Sequence, residues 1–357
     1  MEFIKSVSSL FKNKKSSSPK QDDPEGVRAI DVGRTRLLFA DGFVSGSKLV
    51  ISQFEQVAVN LDSPLEAGLK VLFQERKCSQ ENLRLSLKSP QVVTRFLRFP
   101  KMSDKELRGV LQFEIEQYVP YEAKDLYLDL AVLQESIKTE QGESTEIFVA
   151  VAKKDSVDAM MKSFQSLQAT VDVIDVDILA CMKCLGYFHP EDFSSHTAVL
   201  DLGVHVTTLG VLRGSQPRFI RDLSFGAQDI SKKLKHRASL NDADIQGFLD
   251  GRLVVSEDQS AIFLDSIEGL INDVKVSFDY YRDQSEDGAG ADRLFVCGVG
   301  SAQTFLTKAL EKALDVPVRN MDLLSKIELT NTVSKDAFHS ALMDMPVVLG
   351  LLLRDYD

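Results

Sequence analysis

The chain has 357 residues, of which 44% are hydrophobic, and carries a formal net charge of −11 at pH 7. This composition predicts a globular protein of two to three packed domains and excludes a disordered chain. The acidic balance argues against nucleic-acid binding, because lysine and arginine make the main contacts to phosphates. The longest apolar run, residues 347–353, is less than half of the roughly 18–20 residues that span a bilayer.

Residues 1–26 are predicted to form a flexible N-terminal tail. The segment 1–15 lacks the apolar region of a signal peptide. It places apolar side chains on one helical face, with three lysines after them, a pattern typical of weak attachment to anionic lipid. An unstructured leader that continues through residues 16–24 is the alternative, and the sequence leaves both open. The apolar face comprises Phe3, Ile4, Val7, Leu10 and Phe11.

The pattern after the tail predicts an α/β domain that opens with antiparallel hairpins. A capping box at Ser103 and Glu106 predicts the start of a helix that Pro120 ends. This helix and the next two strands predict a small α/β insert. The predicted strands are 27–30, 36–40, 48–51, 83–87, 92–99, 126–133, 146–152 and 171–176, and the predicted helices lie near 64–74, 103–119 and 157–164.

Cys181 and Cys184 lie in the predicted helix that follows strand 171–176. Their spacing is typical of redox or zinc motifs, but no second cysteine or histidine pair lies nearby in the sequence. We therefore interpret them as buried helix cysteines. Cys78 and Cys297 are the other two cysteines, and the spacing of all four does not indicate a disulfide framework. The absence of such a pattern favours a reducing, cytosolic compartment.

The second half of the chain is predicted to repeat the opening of the first. Three strands joined by two turns recur, and the repetition indicates a duplicated fold. Residues 227–282 are predicted to be mainly helical. A strand then leads through a glycine turn into a helix. The predicted strands are 198–200, 207–212, 217–223 and 294–297, and the final helix covers 304–314.

One Asp-x-Gly motif ends the first strand of each half: Asp31 with Gly33, and Asp201 with Gly203. Such a turn lets the backbone approach a phosphate through the glycine, while its amides and a hydroxyl donate hydrogen bonds. The aspartate can hold water bound to a metal ion. A single copy is typical of an ordinary turn. The duplication favours two turns that clasp a nucleoside triphosphate.

A third glycine turn contains Gly298, Gly300 and Ser301 between a strand and a helix. Amides at the start of such a helix can contact a nucleotide. The dinucleotide fingerprint needs a third glycine where Gln303 stands, so this turn does not complete it.

The three turns follow the order seen in the actin, Hsp70 and sugar-kinase fold, and the insert resembles that of the PilM family of type IV pilus assembly proteins, relatives of FtsA. The resemblance covers nearly everything after residue 26, and the insert motif is its most specific part. The segments that carry it are 99–107, 113–121, 151–154, 173–176, 277–281, 317–318 and 349–354.

By this resemblance the fold is α/β and actin-like, with two RNase H-like halves and an FtsA-type inserted subdomain. The implied halves are 27–188, with the insert at about 100–165, and 189–357, with a helical subdomain at about 230–289. The resemblance implies a cytoplasmic ATP-binding scaffold of a type IV pilus or related type II secretion assembly complex. The scaffold would be at most a slow ATPase and peripheral to the inner membrane. The expected partner of the chain is the cytoplasmic tail of a PilN-like bitopic protein. Contacts with pilus motor components and the formation of homo-oligomers stay open.

The resemblance also implies the residues that hold ATP and Mg²⁺. Asp31 and Asp201 would orient the water around Mg²⁺. Three positions depart from the family pattern: Leu38 replaces the usual lysine, His205 is bulky, and Val299 interrupts a glycine run. The implied nucleotide-binding residues are Asp31, Gly33, Arg34, Thr35, Asp201, Gly203, Val204, Thr207, Gly226, Gly298, Gly300 and Ser301.

Two other functions stay open. The first is a nucleotide-free interaction module of a secretion system, in which the three departures have removed ATP binding. A sugar or acetate kinase of the same fold would need a catalytic base, for which only Asp229 or Glu268 could be proposed, by position alone.

Overall fold

A computed structural model of the chain describes residues 26–60, 63–139, 142–253, 256–285 and 287–356. The predicted tail, with its lipid-contact face in residues 1–15, lies outside this range except for residue 26. The chain divides into two compact units. The first comprises the described parts of Met1–Val44, Ile51–Asp177 and Leu351–Asp357, and the second those of Ser45–Val50 and Ile178–Gly350. No helix within the described ranges is both long and apolar enough to cross a membrane.

The first unit contains a mixed sheet. Strand β1 pairs antiparallel with β2 and parallel with β4, and β4 pairs parallel with β8. The strand order of this sheet is β14-β3-β2-β1-β4-β8. The strands are β1 (Val27–Val32), β2 (Arg36–Ser45), β3 (Lys48–Ala58), β4 (Leu83–Leu87), β8 (Val171–Val176) and β14 (Ile327–Leu329).

The predicted insert is a three-stranded antiparallel sheet, β5-β7-β6, with helix α2 packed on it. Its core joins Leu107 and Leu111 of the helix to Leu130 and Val149 of the strands. The predicted capping box is present, because the Ser103 hydroxyl accepts from the backbone at residue 106 and the carboxylate there accepts from the Ser103 backbone. The elements are β5 (Val92–Pro100), α2 (Asp104–Glu114), β6 (Leu126–Thr139) and β7 (Gly142–Lys153).

The first unit also contains helix α1 (Leu65–Lys70), which a π turn at Val71–Glu75 continues, and helix α3 (Lys154–Gln165). Helix α3 uses the 3.6-residue period that the sequence shows, because Val157, Met161 and Phe164 are buried. The Phe73 and Phe164 rings pack edge to face, with centroids 6.5 Å apart.

The second unit contains a five-stranded sheet of order β11-β10-β9-β12-β13. The first three strands pair antiparallel, and β12 pairs parallel with both β9 and β13. The predicted strand repeat is therefore present in the structure. The strands are β9 (His196–Leu202), β10 (Thr207–Arg213), β11 (Gln216–Leu223), β12 (Arg293–Gly298) and β13 (Val318–Asn320).

The four described helices between residues 227 and 314 share one apolar core with the second sheet. Phe248 and Phe263 pack edge to face with ring centroids 5.3 Å apart. The helices are α4 (Asp177–Phe188), α5 (Ala227–Arg237), α6 (Asp242–Leu249), α7 (Glu257–Gln284), α8 (Thr304–Leu314), α9 (Lys335–Ser340) and α10 (Pro346–Leu352).

The contacts divide the chain at Asp177, whereas the sequence placed the boundary at residue 188. The difference is helix α4, which packs on the second sheet: a Cβ added to Gly210 would meet the Met182 and Ile178 side chains. The predicted bounds 27–188 and 189–357 stay predictions.

The last residues of the chain belong to the first unit and contact the rest of it through a buried ion pair and through Arg84. The Arg354 guanidinium donates to the Asp175 carboxylate, and both side chains are 1% exposed. Arg84 donates to the Leu351 carbonyl at 3.1 Å and to the Asp355 carboxylate at 2.6 Å. Breaking the Arg354–Asp175 pair would be strongly destabilising, because one charge would then stay buried alone.

Helix α10 approaches helix α4 so closely that Gly350 has no room for a side chain. A Cβ there would lie closer to the backbone of Ala180 than van der Waals contact allows, and this backbone cannot move aside. We expect Gly350→Ala to destabilise the second unit by about 1–3 kcal/mol through overpacking.

The matched control is Gly269→Ala on helix α7, where an added Cβ meets nothing within 4 Å. That change should stabilise the helix by about 0.5–1 kcal/mol. Differential scanning calorimetry of both variants measures the opposite shifts in Tm. A Gly350→Ala protein with unchanged Tm would contradict the close approach of α10 and α4.

Candidate functional site

The two predicted Asp-x-Gly turns have the same backbone geometry. Strand pairing leaves residues 33–36 as the turn between β1 and β2, and residues 203–206 as the turn between β9 and β10. A Cβ on Gly33 or on Gly203 would in each case meet the carbonyl oxygen of the fourth turn residue. Each turn therefore requires a glycine at this position for steric reasons.

The hydroxyl residues of the two turns are not equivalent. Thr35 is exposed within the first turn, but Thr207 lies in strand β10, and the residue equivalent to Thr35 is His205. The Thr207 hydroxyl is fully buried and donates to the Phe225 carbonyl at 2.8 Å. The two turns therefore share their backbone shape but not their hydroxyl residue. Thr207 instead holds the segment at residue 225 beside the second turn.

In the first unit, Asp31 forms an ion pair with a lysine that the sequence reading missed. The Lys88 ammonium lies 2.8 Å from the Asp31 carboxylate and also donates to Asp177. Strands β1, β4 and β8 are parallel neighbours, so their carboxyl ends bring these three residues to one edge of the sheet. The nearby Leu38, where the family has its usual lysine, is buried in the core.

Burial dominates the electrostatics of this edge. Desolvation raises the pKa of Asp177, Lys88 lowers it again, and the neighbouring Asp31 raises it further. The group therefore consists of two acidic side chains and one basic side chain. Arg34 and Thr35 of the adjacent turn are exposed, so their side chains stand at the surface of this unit.

In the second unit, the second turn lies directly on the start of helix α5. A Cβ on Gly226 would overlap the Val204 carbonyl, so this glycine permits the close approach. The first two amides of α5, at Ala227 and Gln228, donate to the turn carbonyls of Gly203 and Val204 at 2.9 Å each. These contacts fix the turn to the helix, and they engage amides that would otherwise face a ligand.

Asp229 caps this same helix. Its carboxylate accepts from the Gly226 amide at 3.1 Å, as the third residue of a capping box does. This contact gives Asp229 a structural role as a helix cap. The cap accounts for an aspartate at this position without a role as the catalytic base of a kinase.

The third glycine turn reaches the second one through strand pairing. Strand β12 is parallel to β9, and Cys297 lies opposite Asp201 in their register. A Cβ on Gly298 would lie 2.8 Å from the Asp201 carboxylate, and the Val299 amide donates to the Leu202 carbonyl at 2.8 Å. The glycine turn and the end of β9 are therefore packed side by side.

The turn at 298–301 adopts a conformation that favours glycine. Gly298 and Gly300 have φ angles of +86° and +85°. The fully buried Ser301 hydroxyl donates to the Gly298 carbonyl at 2.8 Å, and Asn320 of β13 donates to the Ser301 carbonyl at 2.9 Å. Ser301 and Asn320 thus stabilise the shape of the turn.

The predicted site residues form one group in each unit. The second unit brings most of them together and adds His205, whose buried Nε2 has no hydrogen-bond partner within the described ranges. A buried ring nitrogen of this kind can donate to an anion at the turn. The first group comprises Asp31, Gly33, Arg34 and Thr35, and the second Asp201, Gly203, Val204, Thr207, Gly226, Gly298, Gly300 and Ser301.

Solved structures share this fold. The chain is 20% identical to a chain of a PilM-PilN type IV pilus biogenesis complex, with a TM-score of 0.78 over 93% of this chain and 98% of that one. The ethanolamine utilization protein EutJ from Carboxydothermus hydrogenoformans is 9% identical, with a TM-score of 0.53 over 92% of this chain and 90% of that one. MreB 5 of Spiroplasma citri, bound to AMPPNP, is 10% identical, with a TM-score of 0.50 over 92% and 95%.

These likenesses confirm the predicted actin-like fold. A family model described as type IV pilus assembly protein PilM matches residues 54–356, which include the insert and all of the second unit's helices. The chain belongs to the PilM family of type IV pilus assembly proteins.

Proposed function

We propose that this chain is a nucleotide-binding scaffold that docks the tail of a PilN-like membrane protein at the cytoplasmic face of the inner membrane. The observation that carries the proposal is the PilM family match over residues 54–356. The fold likeness to the chain in a PilM-PilN complex, over 93% of this chain, adds support for the partner.

The second unit offers the features that support nucleotide binding. Glycines at 298 and 300 let the backbone approach a ligand, since both adopt a left-handed conformation. His205 presents a buried ring nitrogen at the second turn. We assign phosphate contacts to the 203–207 turn and nucleoside contacts to the 298–301 turn. Asp201 would hold the water around Mg²⁺, and the bound metal would neutralise phosphate charge.

One observation favours the nucleotide-free alternative. The hydroxyls of Thr207 and Ser301 donate within the protein, and the first amides of helix α5 are engaged by the turn. A nucleotide would therefore rely on the remaining turn amides and His205. A direct binding measurement separates the two functions.

We expect isothermal titration of the full chain with Mg-ATP to give one site per chain. Asp201→Asn should weaken binding at least about 10-fold, because the variant loses the carboxylate that faces the metal-bound water. The matched control is Asp279→Asn, which removes an exposed carboxylate of helix α7 that pairs with Arg282 at 2.9 Å. Absence of heat and of a thermal shift at millimolar Mg-ATP would overturn nucleotide binding and favour the nucleotide-free module.

Lys88 is our candidate for the positive charge that Leu38 does not supply. Lys88→Met leaves Asp31 and Asp177 without their cation, so we expect a loss of about 3 kcal/mol in stability. The Lys88→Met/Asp177→Asn double variant restores the net charge of the wild-type group and should recover most of that loss. Thermal unfolding measures this recovery.

The same double variant separates folding from ligand binding. If the Lys88 ammonium contacts phosphate, the double variant stays at least about 10-fold weaker for Mg-ATP although its stability recovers. Equal affinity of the double variant and the wild type would restrict Lys88 to a structural role.

The insert offers an exposed apolar surface for a docked peptide. Phe113 on helix α2 is 84% exposed, which is unusual for a phenylalanine. Gly109 lies one turn before it on the same face, and a side chain added there meets nothing within 4 Å. An apolar side chain of a peptide can therefore pack over Gly109 and against the Phe113 ring. We assign the docking surface for the PilN-like tail to this face.

We expect a synthetic peptide of the natural partner's cytoplasmic tail to bind the full chain in fluorescence anisotropy. Phe113→Ser should weaken that binding at least about 10-fold, as loss of an aromatic anchor does. The control Val276→Ser removes an apolar side chain that is 56% exposed in the second unit and should leave binding unchanged. Peptide binding that Phe113→Ser leaves intact would move the docking surface elsewhere.

A further inference from the structure

Two cysteines and an aspartate that are distant in the sequence meet inside the second unit. The Sγ atoms of Cys181 and Cys297 and a carboxylate oxygen of Asp201 all lie within 4.8 Å of one another. The Cys297 Sγ is 3.8 Å from the Asp201 Oδ1 atom. Both cysteines are buried, at 0% and 2% exposure, whereas Asp201 is partly exposed.

The fold explains why these three groups converge. Cys297 and Asp201 are register partners on the parallel strands β12 and β9, so their side chains point to the same face of the sheet. Helix α4, which carries Cys181, packs against that sheet through the close approach at Gly210. In the sequence, Cys181 lies near Cys184 only, and its proximity to Cys297 becomes visible only in the folded structure.

Two sulfurs and one carboxylate form a ligand set with a defined metal preference. Thiolates select Zn²⁺ over Mg²⁺ and Ca²⁺, and a carboxylate is also an accepted zinc ligand. Around a tetrahedral zinc ion, with Zn–S bonds of about 2.3 Å, two sulfurs stand about 3.8 Å apart. The spacing in the structure therefore needs side-chain adjustments of about 1 Å or less to reach that geometry.

We propose that Cys181, Cys297 and Asp201 form a binding site for Zn²⁺, with the fourth position open to water. The partly exposed carboxylate gives the ion a path from solvent to the two buried sulfurs. Because Asp201 is also our candidate residue for the water around Mg²⁺, zinc at this site would compete with Mg-ATP. The proposal itself rests on the three side chains and does not depend on nucleotide binding.

The test is a titration of the full, reduced, metal-free chain with Co²⁺, a spectroscopic substitute for zinc, in the absence of nucleotide. We expect thiolate-to-cobalt charge-transfer absorption that saturates at one equivalent and disappears on addition of Zn²⁺. Cys181→Ser and Cys297→Ser should each weaken binding at least about 10-fold, since loss of even an outer partner of a metal ligand does so. Cys78→Ser, a buried cysteine of the first unit, is the matched control and should bind normally.

X-ray absorption spectroscopy of the zinc-loaded wild-type chain keeps the proposal testable if a serine variant fails to fold. Two sulfur ligands at about 2.3 Å support the site. Any other number of sulfurs, absence of the charge-transfer band, or unchanged binding in both serine variants would overturn it. A failure of Mg-ATP to bind leaves each of these results interpretable, because none of them involves nucleotide.

Discussion

The parallel pairing of neighbouring strands is the constraint on which the candidate sites depend. Strands that run in the same direction end at the same edge of a sheet, so the residues after them are brought together whatever their distance in the chain. In the first unit this places Lys88 between Asp31 and Asp177. In the second it places Cys297 and the glycine turn at 298 beside Asp201. Both units therefore collect their polar groups in the same way, as expected of a duplicated fold.

Local features of the sequence were predictable because their causes are local. The glycine of each Asp-x-Gly turn and the Ser103–Glu106 capping box depend on residues within four positions of one another, and the structure contains all of them. The difference between the two turns was not predictable from residue type, because strand register makes His205, and not Thr207, the position that corresponds to Thr35. The sequence analysis missed the role of Lys88 and the proximity of Cys181 to Cys297. Strand order and helix packing determine both, and neither can be recognised from neighbouring residues in the sequence.

The polar groups of the second unit serve both its fold and its candidate ligand. Gly226 is needed for the turn to rest on helix α5, and the amides of α5 are engaged in holding it there. These hydrogen bonds hold the turn against the helix and engage two of the amides near it. In the proposed function, a nucleotide would therefore be recognised mainly through the glycine turns and His205. Docking of a partner peptide is the main part of the proposed function, because the chain belongs to the PilM family and its insert exposes Phe113.

Hydrogen–deuterium exchange of the full chain, with and without saturating Mg-ATP, tests most directly whether the ends of the parallel strands form the ligand site. We predict slower exchange at amides of residues 203–206 and 298–303, with little change in the insert sheet, because the glycine turns are the proposed contacts. Protection confined to the insert, or unchanged exchange at both turns under saturating nucleotide, would contradict the central claim.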